Sequence, residues 1–253
     1  TYSYFGILES LSGASVDVSF ISFDDILENG IPSDIDVIIN AGDAMTAFSG
    51  GEAWANERLV TMIREWVYNG GGFVGVGEPS AYHHGGRFFQ LADILGVDKE
   101  LGFTLSTDKY FKDVIPDHFI TADRTAAFDF GEGMKNVYAL DKDTEIIEYS
   151  NHEVHIAAHS FGKGRGVYIA GLPYSYENTR LLMRSMFYAA GKEDTYNVWN
   201  ADNLLCEVHA YPDAGKYAIV NNSNEVQKTM VYDGEGRGCE YTLEPCQIVW
   251  KNI

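Results

Sequence analysis

Asp43, Glu78, Tyr82, His83, His84 and Arg87 are the side chains whose types and spacing suit chemistry. Five of them fall within "GGGFVGVGEPSAYHHGGR", residues 70–87, and the sixth lies in "INAGDAMTAFSGGEAW", Ile39 to Trp54. A carboxylate beside imidazoles is able to move a proton, with Glu78 as general base and His83 sharing the proton. A plainer reading stands beside it. Glu78 caps a following helix and satisfies loop amides, while the histidines bond backbone or face a neighbouring domain.

The surrounding elements decide whether these residues meet. "DVIINAG" (Asp36 to Gly42) and "GFVGVG" are short apolar runs ending in glycine, as buried parallel strands do. Ligands in open α/β sheets sit beyond the carboxyl ends of such strands, so the six residues are expected on one rim. "TYSYFGILESLSG" reads as a helix with Tyr4, Ile7, Leu8 and Leu11 on one face. "VDVSFISF" (Val16 to Phe23) alternates like a strand. "NERLVTMIREWVYNGGG" is a helix stopped at Asn69–Gly70, and "GRFFQLADILGV" predicts another, with Phe88, Leu91, Ala92 and Leu95 aligned. "EVHIAAHSF" and "GVYIAG" flank the turn Gly162-Lys163-Gly164-Arg165, a hairpin signal, and "YENTRLLMRSMFYAAGKE" closes the domain as a helix.

The fold class expected from this order is α/β: a mostly parallel sheet with helices on both faces over residues 1–195. Beyond residue 195, short alternating runs broken by Pro-Asp, Asn-Asn-Ser and Asp-Gly predict a small antiparallel β-domain of about four to six strands over 196–253.

Other constellations are weaker. His155 and His159 suit a metal only on a helix; on a strand they stand about 13 Å apart, so no metal site is expected. The acids Asp24, Asp25, Asp34 and Asp36 read as loop and cap residues rather than a glycosidase pair. "YNGGG" ends a helix and "GKGRG" joins strands, so neither cradles phosphate. No cofactor is expected.

The chain has 253 residues and a formal charge of −19, from 37 acids against 18 Lys and Arg. That field repels phosphate backbones and anionic lipid, which makes nucleic acid and membranes poor partners. No run of about 18 apolar residues occurs. The three cysteines, Cys206, Cys239 and Cys246, are odd in number and fit reduced thiols in a cytoplasmic protein. A start at Thr1, inside a helical pattern and without Met, suggests a piece of a longer protein.

A strand turning sharply after G-x-[nucleophile] is an elbow used by class I glutamine amidotransferases, a flavodoxin-like fold that this order resembles. In Gly75-Val76-Gly77-Glu78 the nucleophile position is Gly77, and no cysteine precedes residue 206. Thiol amidase chemistry is therefore excluded at this turn.

In order along the chain, "SFISFDDILENGIP", "VIINAGDAMTAFSGGEAW", "GGGFVGVGEPSA" and "FQLADILGVDKELGFTLSTDKY" resemble the central domain of the lacto-N-biose phosphorylase (1,3-β-galactosyl-N-acetylhexosamine phosphorylase) family. The tail, with "YAIVNNSNE" and "EPCQIVW", is similar to that family's C-terminal β-domain. The resemblance implies a whole enzyme that cleaves a β-1,3-galactosyl bond to N-acetylhexosamine with inorganic phosphate and inversion. It also implies that the catalytic acid lies in an N-terminal barrel domain, so that no catalytic residue is carried over here. The six rim residues would then serve substrate binding or a domain interface. The barrel and a second subunit in a homodimer are the partners it suggests, and exposed aromatics of the Tyr2–Phe5 and Trp54 kind suit such burial. The alternative is a freestanding amidotransferase-like sugar-processing protein of the trehalose-utilisation type, with Glu78, His83 and His84 as its site.

Overall fold

A computed structural model describes residues 2–101 and 113–253. Thr1 and residues 102–112, which include the last nine residues of the "FQLADILGVDKELGFTLSTDKY" motif, lie outside the described residues.

The central sheet has five strands in the order β1-β2-β9-β8-β7. β1 (Val37–Gly42), β2 (Gly72–Gly77) and β9 (Gly164–Ile169) run parallel. β8 (Glu153–Phe161) returns antiparallel to β9, as the Gly162–Lys163 turn predicts, and β7 (Glu145–Ser150) pairs antiparallel with β8. Strand alternation feeds two cores. Phe73 and Tyr168 point to one side, with Leu59, Ile63 and Val67 of α3 (Glu57–Tyr68) and Ile94 and Leu95 of α4 (Ala92–Leu95). Val74, Val76, Val167 and Ile169 point to the other side, with Ile7 of α1 (Tyr2–Ser12) and Leu181, Leu182 and Met186 of α5 (Tyr176–Ala189). Helices thus cover both faces. Each starts on a side-chain cap where the chain supplies one: Asn56 before α3, Ser175 before α5, and a Ser22–Asp25 capping box at α2 (Phe23–Asn29).

Four local expectations are corrected. Residues 17–22 form no strand: Val18 and Phe20 are exposed, and among the described residues β1 pairs with β2 alone. "GRFFQLADILGV" is not one helix. It forms the hairpin β3 (Ala81–His84) and β4 (Arg87–Phe89), then the single turn α4, and leads into β5 (Val97–Lys99), which pairs with β6 (Val137–Ala139). The amides of Phe88 and Phe89 bond the Asp98 carboxylate instead of helical carbonyls, Phe89 at 2.8 Å. The inward face of α1 is Ser3, Gly6, Ile7 and Ser10, small enough to pack close to the backbone of Leu172 and Pro173, not the Tyr4–Leu8–Leu11 face. Trp54 is 1% exposed, its indole N–H donating to the Ser49 carbonyl at 2.5 Å, and so offers no surface for another domain. Phe5, at 57%, is exposed.

The C-terminal unit holds six strands: β10 (Asn200–Ala201), β11 (Cys206–Tyr211), β12 (Lys216–Asn221), β13 (Gln227–Tyr232), β14 (Gly238–Leu243) and β15 (Ile248–Asn252), in two three-stranded sheets ordered β10-β13-β14 and β11-β12-β15. Cys206, Val208, Ile219, Val231 and Leu243 form its own core. Arg180 of α5 joins it to the sheet domain, donating to Asn200 Oδ1 and to the carbonyl of Asn203, each at 3.0 Å.

Candidate functional site at the crest of the sheet

The crest is built where β1 and β2 end together, Gly42 beside Gly77. Gly77 has φ +78, and a Cβ there would stand 3.2 Å from the Gly42 carbonyl oxygen. The sharp turn therefore needs glycine, and it presents no side chain at all. The next amide, Glu78 N–H, donates to that same Gly42 carbonyl at 3.0 Å.

Glu78 is two-handed. One carboxylate oxygen accepts the Ala44 amide at 2.7 Å, and the other accepts Lys99 Nζ at 2.5 Å. Both side chains of the ion pair are mostly covered, 14% and 17% exposed. Of the two expectations for Glu78, amide satisfaction is the one its partners match, although strand β3 follows rather than a helix. Beneath it, Asn40 donates to the Ser49 carbonyl at 3.0 Å and accepts the Ser80 amide at 2.9 Å, tying the β1 and β2 loops together.

Of the other five expected residues, Asp43 lies between Gly42 and Ala44, the two residues Glu78 bonds, while His84 and Arg87 have other partners. His84 and Arg87 flank the Gly85–Gly86 turn at the tip of the hairpin; His84 lies 3.6 Å from Glu57, and Arg87 lies 3.6 Å from Asp93. Gln90 fastens this hairpin from inside, donating to the carbonyls of His84 and Arg87. His83 is exposed on β3, and Tyr82 is half-buried against the core. Asp43 is exposed at the end of β1, near enough to Tyr2 to help raise that phenol's pKa, which burial raises most.

Sequence reasoning missed the groups nearest Glu78. Lys99 lies inside the quoted run "FQLADILGVDKELG", where nothing local marks it as a partner of Glu78. Asp98 is buried and receives three backbone amides; burial raises its carboxyl above the usual range, against the pull of those bonds. Tyr168 is fully buried in β9, and its hydroxyl has no hydrogen-bond partner among the described residues. Burial raises that phenol strongly, with Glu153 and Glu78 adding to the effect. The one available signal was a tyrosine inside the apolar run "GVYIAG".

The remaining histidines have separate partners. His155 stacks on Phe130 at 4.6 Å, and His159 lies 3.2 Å from Asp141. No group of three or more His, Cys, Asp or Glu placed to hold a metal ion occurs among the described residues. Cys206 is buried in the C-terminal unit, where burial pushes its thiol up to about 11, and Cys239 and Cys246 are exposed on that same unit. No helix among the described residues is long and apolar enough to cross a membrane.

What this crest offers is a closed ion pair and a glycine turn, on a sheet followed by a six-stranded β-unit. The family model of the lacto-N-biose phosphorylase central domain matches residues 1–194, and that of the C-terminal domain matches residues 199–251. The chain belongs to the lacto-N-biose phosphorylase family. It is 51% identical over 251 residues to a 1,3-β-galactosyl-N-acetylhexosamine phosphorylase of Lachnoclostridium phytofermentans, covering 99% of this chain and 34% of that protein. Its identity to the enzyme of that name from Bifidobacterium longum subsp. longum is 47%, covering 99% of this chain and 38% of the relative. A D-galactosyl-β-1→4-L-rhamnose phosphorylase of Lachnoclostridium phytofermentans is 33% identical, over 89% of this chain and 30% of the relative. The chain thus spans about a third of the length of the curated relatives it matches. Among solved structures, a β-galactosidase from Rahnella sp. R3 shares the fold with a TM-score of 0.54 and 15% identity, over 96% of this chain and 36% of that one.

Proposed function

We propose that this chain is the central and C-terminal portion of a galactosyl disaccharide phosphorylase, and that it acts as scaffold. The two family models, matched in order along the chain, carry the reading. The whole protein would convert a β-1,3-galactosyl-N-acetylhexosamine and phosphate to galactose 1-phosphate and the free N-acetylhexosamine.

Inverting phosphorolysis is one displacement at the anomeric carbon. A phosphate oxygen forms the new C–O bond from one face, the bond to the leaving sugar breaks on the other, and an acid protonates the departing oxygen. Phosphate is the nucleophile, so the protein supplies a single acid. The crest of this chain is poorly suited to that role: Glu78 is engaged by Ala44 and Lys99, and Gly77 has no side chain. The acid then belongs to the part of the protein outside this chain, which we read as an N-terminal barrel. Asp43, Tyr82, His83, His84 and Arg87 remain candidates for contact with that barrel or with sugar at its mouth, and pairing of subunits is a second supporting role.

The sheet domain itself we read as amidotransferase-like, a flavodoxin-like layer without its nucleophile. Three parallel strands and the positive φ of Gly77 at the elbow position support that reading.

The direct experiment compares the isolated 253-residue chain, shown folded by circular dichroism, with the full-length protein. Galactose 1-phosphate formation from lacto-N-biose and phosphate is expected from the full-length protein alone. Turnover by the isolated chain would refute the scaffold reading.

A further inference from the structure

Arg180 is a cation buried at the joint between the sheet domain and the β-unit, 5% exposed. Its guanidinium donates to Asn200 Oδ1 and the Asn203 carbonyl, and to the Cys206 carbonyl at 3.4 Å. The Tyr196 hydroxyl stands beside it. All four partners are neutral. Arginine keeps its proton when buried and carries five N–H groups, so a donor and the whole charge are left over. Burying a charge without a counter-charge is costly. Two acids of the joint are engaged elsewhere: Asp123 with Arg184 at 2.7 Å, and Glu207 with His209 at 2.9 Å. Among the described residues no carboxylate forms an ion pair with Arg180.

Beside Arg180 lies a cavity bounded by α1, α5 and the β-unit. Ser10, Gly13, Thr179, Asn200 and Glu207 share its wall with Arg180. It leaves about 20 Å3 to the centre of a water-sized sphere. One water needs about 10–15 Å3 by that measure, and two to four polar partners. A sugar or a phosphate is too large for it.

The wall offers the partners. Glu207 gives only Oε2 to His209. Its Oε1 faces Gly13, where a Cβ would collide with it, so the glycine makes room for the carboxylate. Oε1 accepts no hydrogen bond among the described residues. The Ser10 and Thr179 hydroxyls pair at 3.0 Å, and the Ser10 oxygen has a second lone pair. A cation, a carboxylate oxygen and a hydroxyl thus surround a space for one molecule that both accepts and donates.

We propose that this cavity binds one ordered water, which accepts from Arg180 and donates to Glu207 Oε1 and to Ser10. The water turns two separated charges into a bridged pair and ties α1, α5 and β11 together at one point. Water-mediated contacts are nearly as favourable in enthalpy as direct ones. Every group of the site belongs to this chain, and the site does not rest on the phosphorylase reading.

Two measurements on the full-length protein test it. The first is a high-resolution crystal structure grown with bromide in the buffer. One solvent peak is expected about 2.7–3.2 Å from both an Arg180 nitrogen and Glu207 Oε1, without anomalous signal. A cavity without a peak overturns the proposal. So does an anomalous bromide peak, which would mean an anion site. So does a Glu207 side chain turned into direct contact with Arg180. The second measurement compares melting temperatures of Arg180→Met, Glu207→Leu and the double variant, with Arg180→Gln in place of Arg180→Met if the latter does not fold. Groups that share a water are coupled, so the double variant is expected to lose less than the sum of the two single losses. Additive losses overturn the bridge between Arg180 and Glu207.

Discussion

Gly77 and Glu78 are adjacent, and the turn they make carries no side chain at its sharpest point and an engaged carboxylate beside it. The backbone of Gly77 holds φ +78, and the Gly42 carbonyl stands where a side chain would begin. Replacing Gly77 by Ser would add a hydroxyl at the elbow only by straining this backbone, at a cost of about 1–3 kcal/mol. Chemical denaturation should show that loss, with no amidase activity gained; an unaltered midpoint would mean that the turn relaxes freely. Glu78 was legible in the sequence as a carboxylate at a strand end, and its two candidate roles were both written there. What decided between them was Lys99, which is distant in sequence and carries no pattern. A contact set by the tertiary path of the chain leaves no local trace. The same holds for Asp98, whose bonds to Phe88 and Phe89 replace a helix with a hairpin.

At the scale of elements, long periodic segments were readable and short ones were not. α3 and α5 have caps at their first residues and an apolar stripe, and both stand where the sequence puts them. The 86–97 segment has helical spacing too, yet Gly85 and Gly86, both at positive φ, pair His84 with Arg87 and turn the chain back. A Gly-Gly between two strand-forming pairs is itself a hairpin signal, and it outweighs one face of apolar residues. A further element-level property is the cap of the 3-10 turn Phe119–Thr121, His118, which lies between Glu145 of β7 and Tyr188 of α5. His118 joins them: its Nδ1 accepts the Ile120 amide at 3.1 Å, and its ring meets Tyr188 edge-on at 4.8 Å. Burial lowers this imidazole below its usual 6.5, and Glu145, 3.6 Å from Nε2, opposes that only in part. The unfolded chain therefore takes up the proton first as pH falls. Stability is present above pH 6.5 and is lost as pH drops through the lower folded value. His155, also lowered chiefly by burial, acts in the same direction. The melting temperature should fall as pH decreases below 6.5, and His118→Asn, which keeps a capping acceptor without the titration, should flatten part of that slope. An unchanged slope would show that His118 is not a source of it.

For the molecule as a whole, the sheet domain and the β-unit keep separate cores and meet through Arg180, the Tyr176 hydroxyl on the Asn222 carbonyl, and Ser15 on the Val208 carbonyl. A charge of −19 spread over such a body sets up a field that disfavours anions in general. The central claim is that Glu78 holds the crest together and does not handle protons for the reaction. The most direct test is kcat for phosphorolysis by the full-length protein carrying Glu78→Gln, measured at a temperature where the variant is folded. Removing one partner of a covered ion pair is expected to lower stability by about 3 kcal/mol, with kcat staying within about twofold. A general acid or base contributes on the order of 100-fold to 10,000-fold, and a loss of kcat in that range would contradict the account.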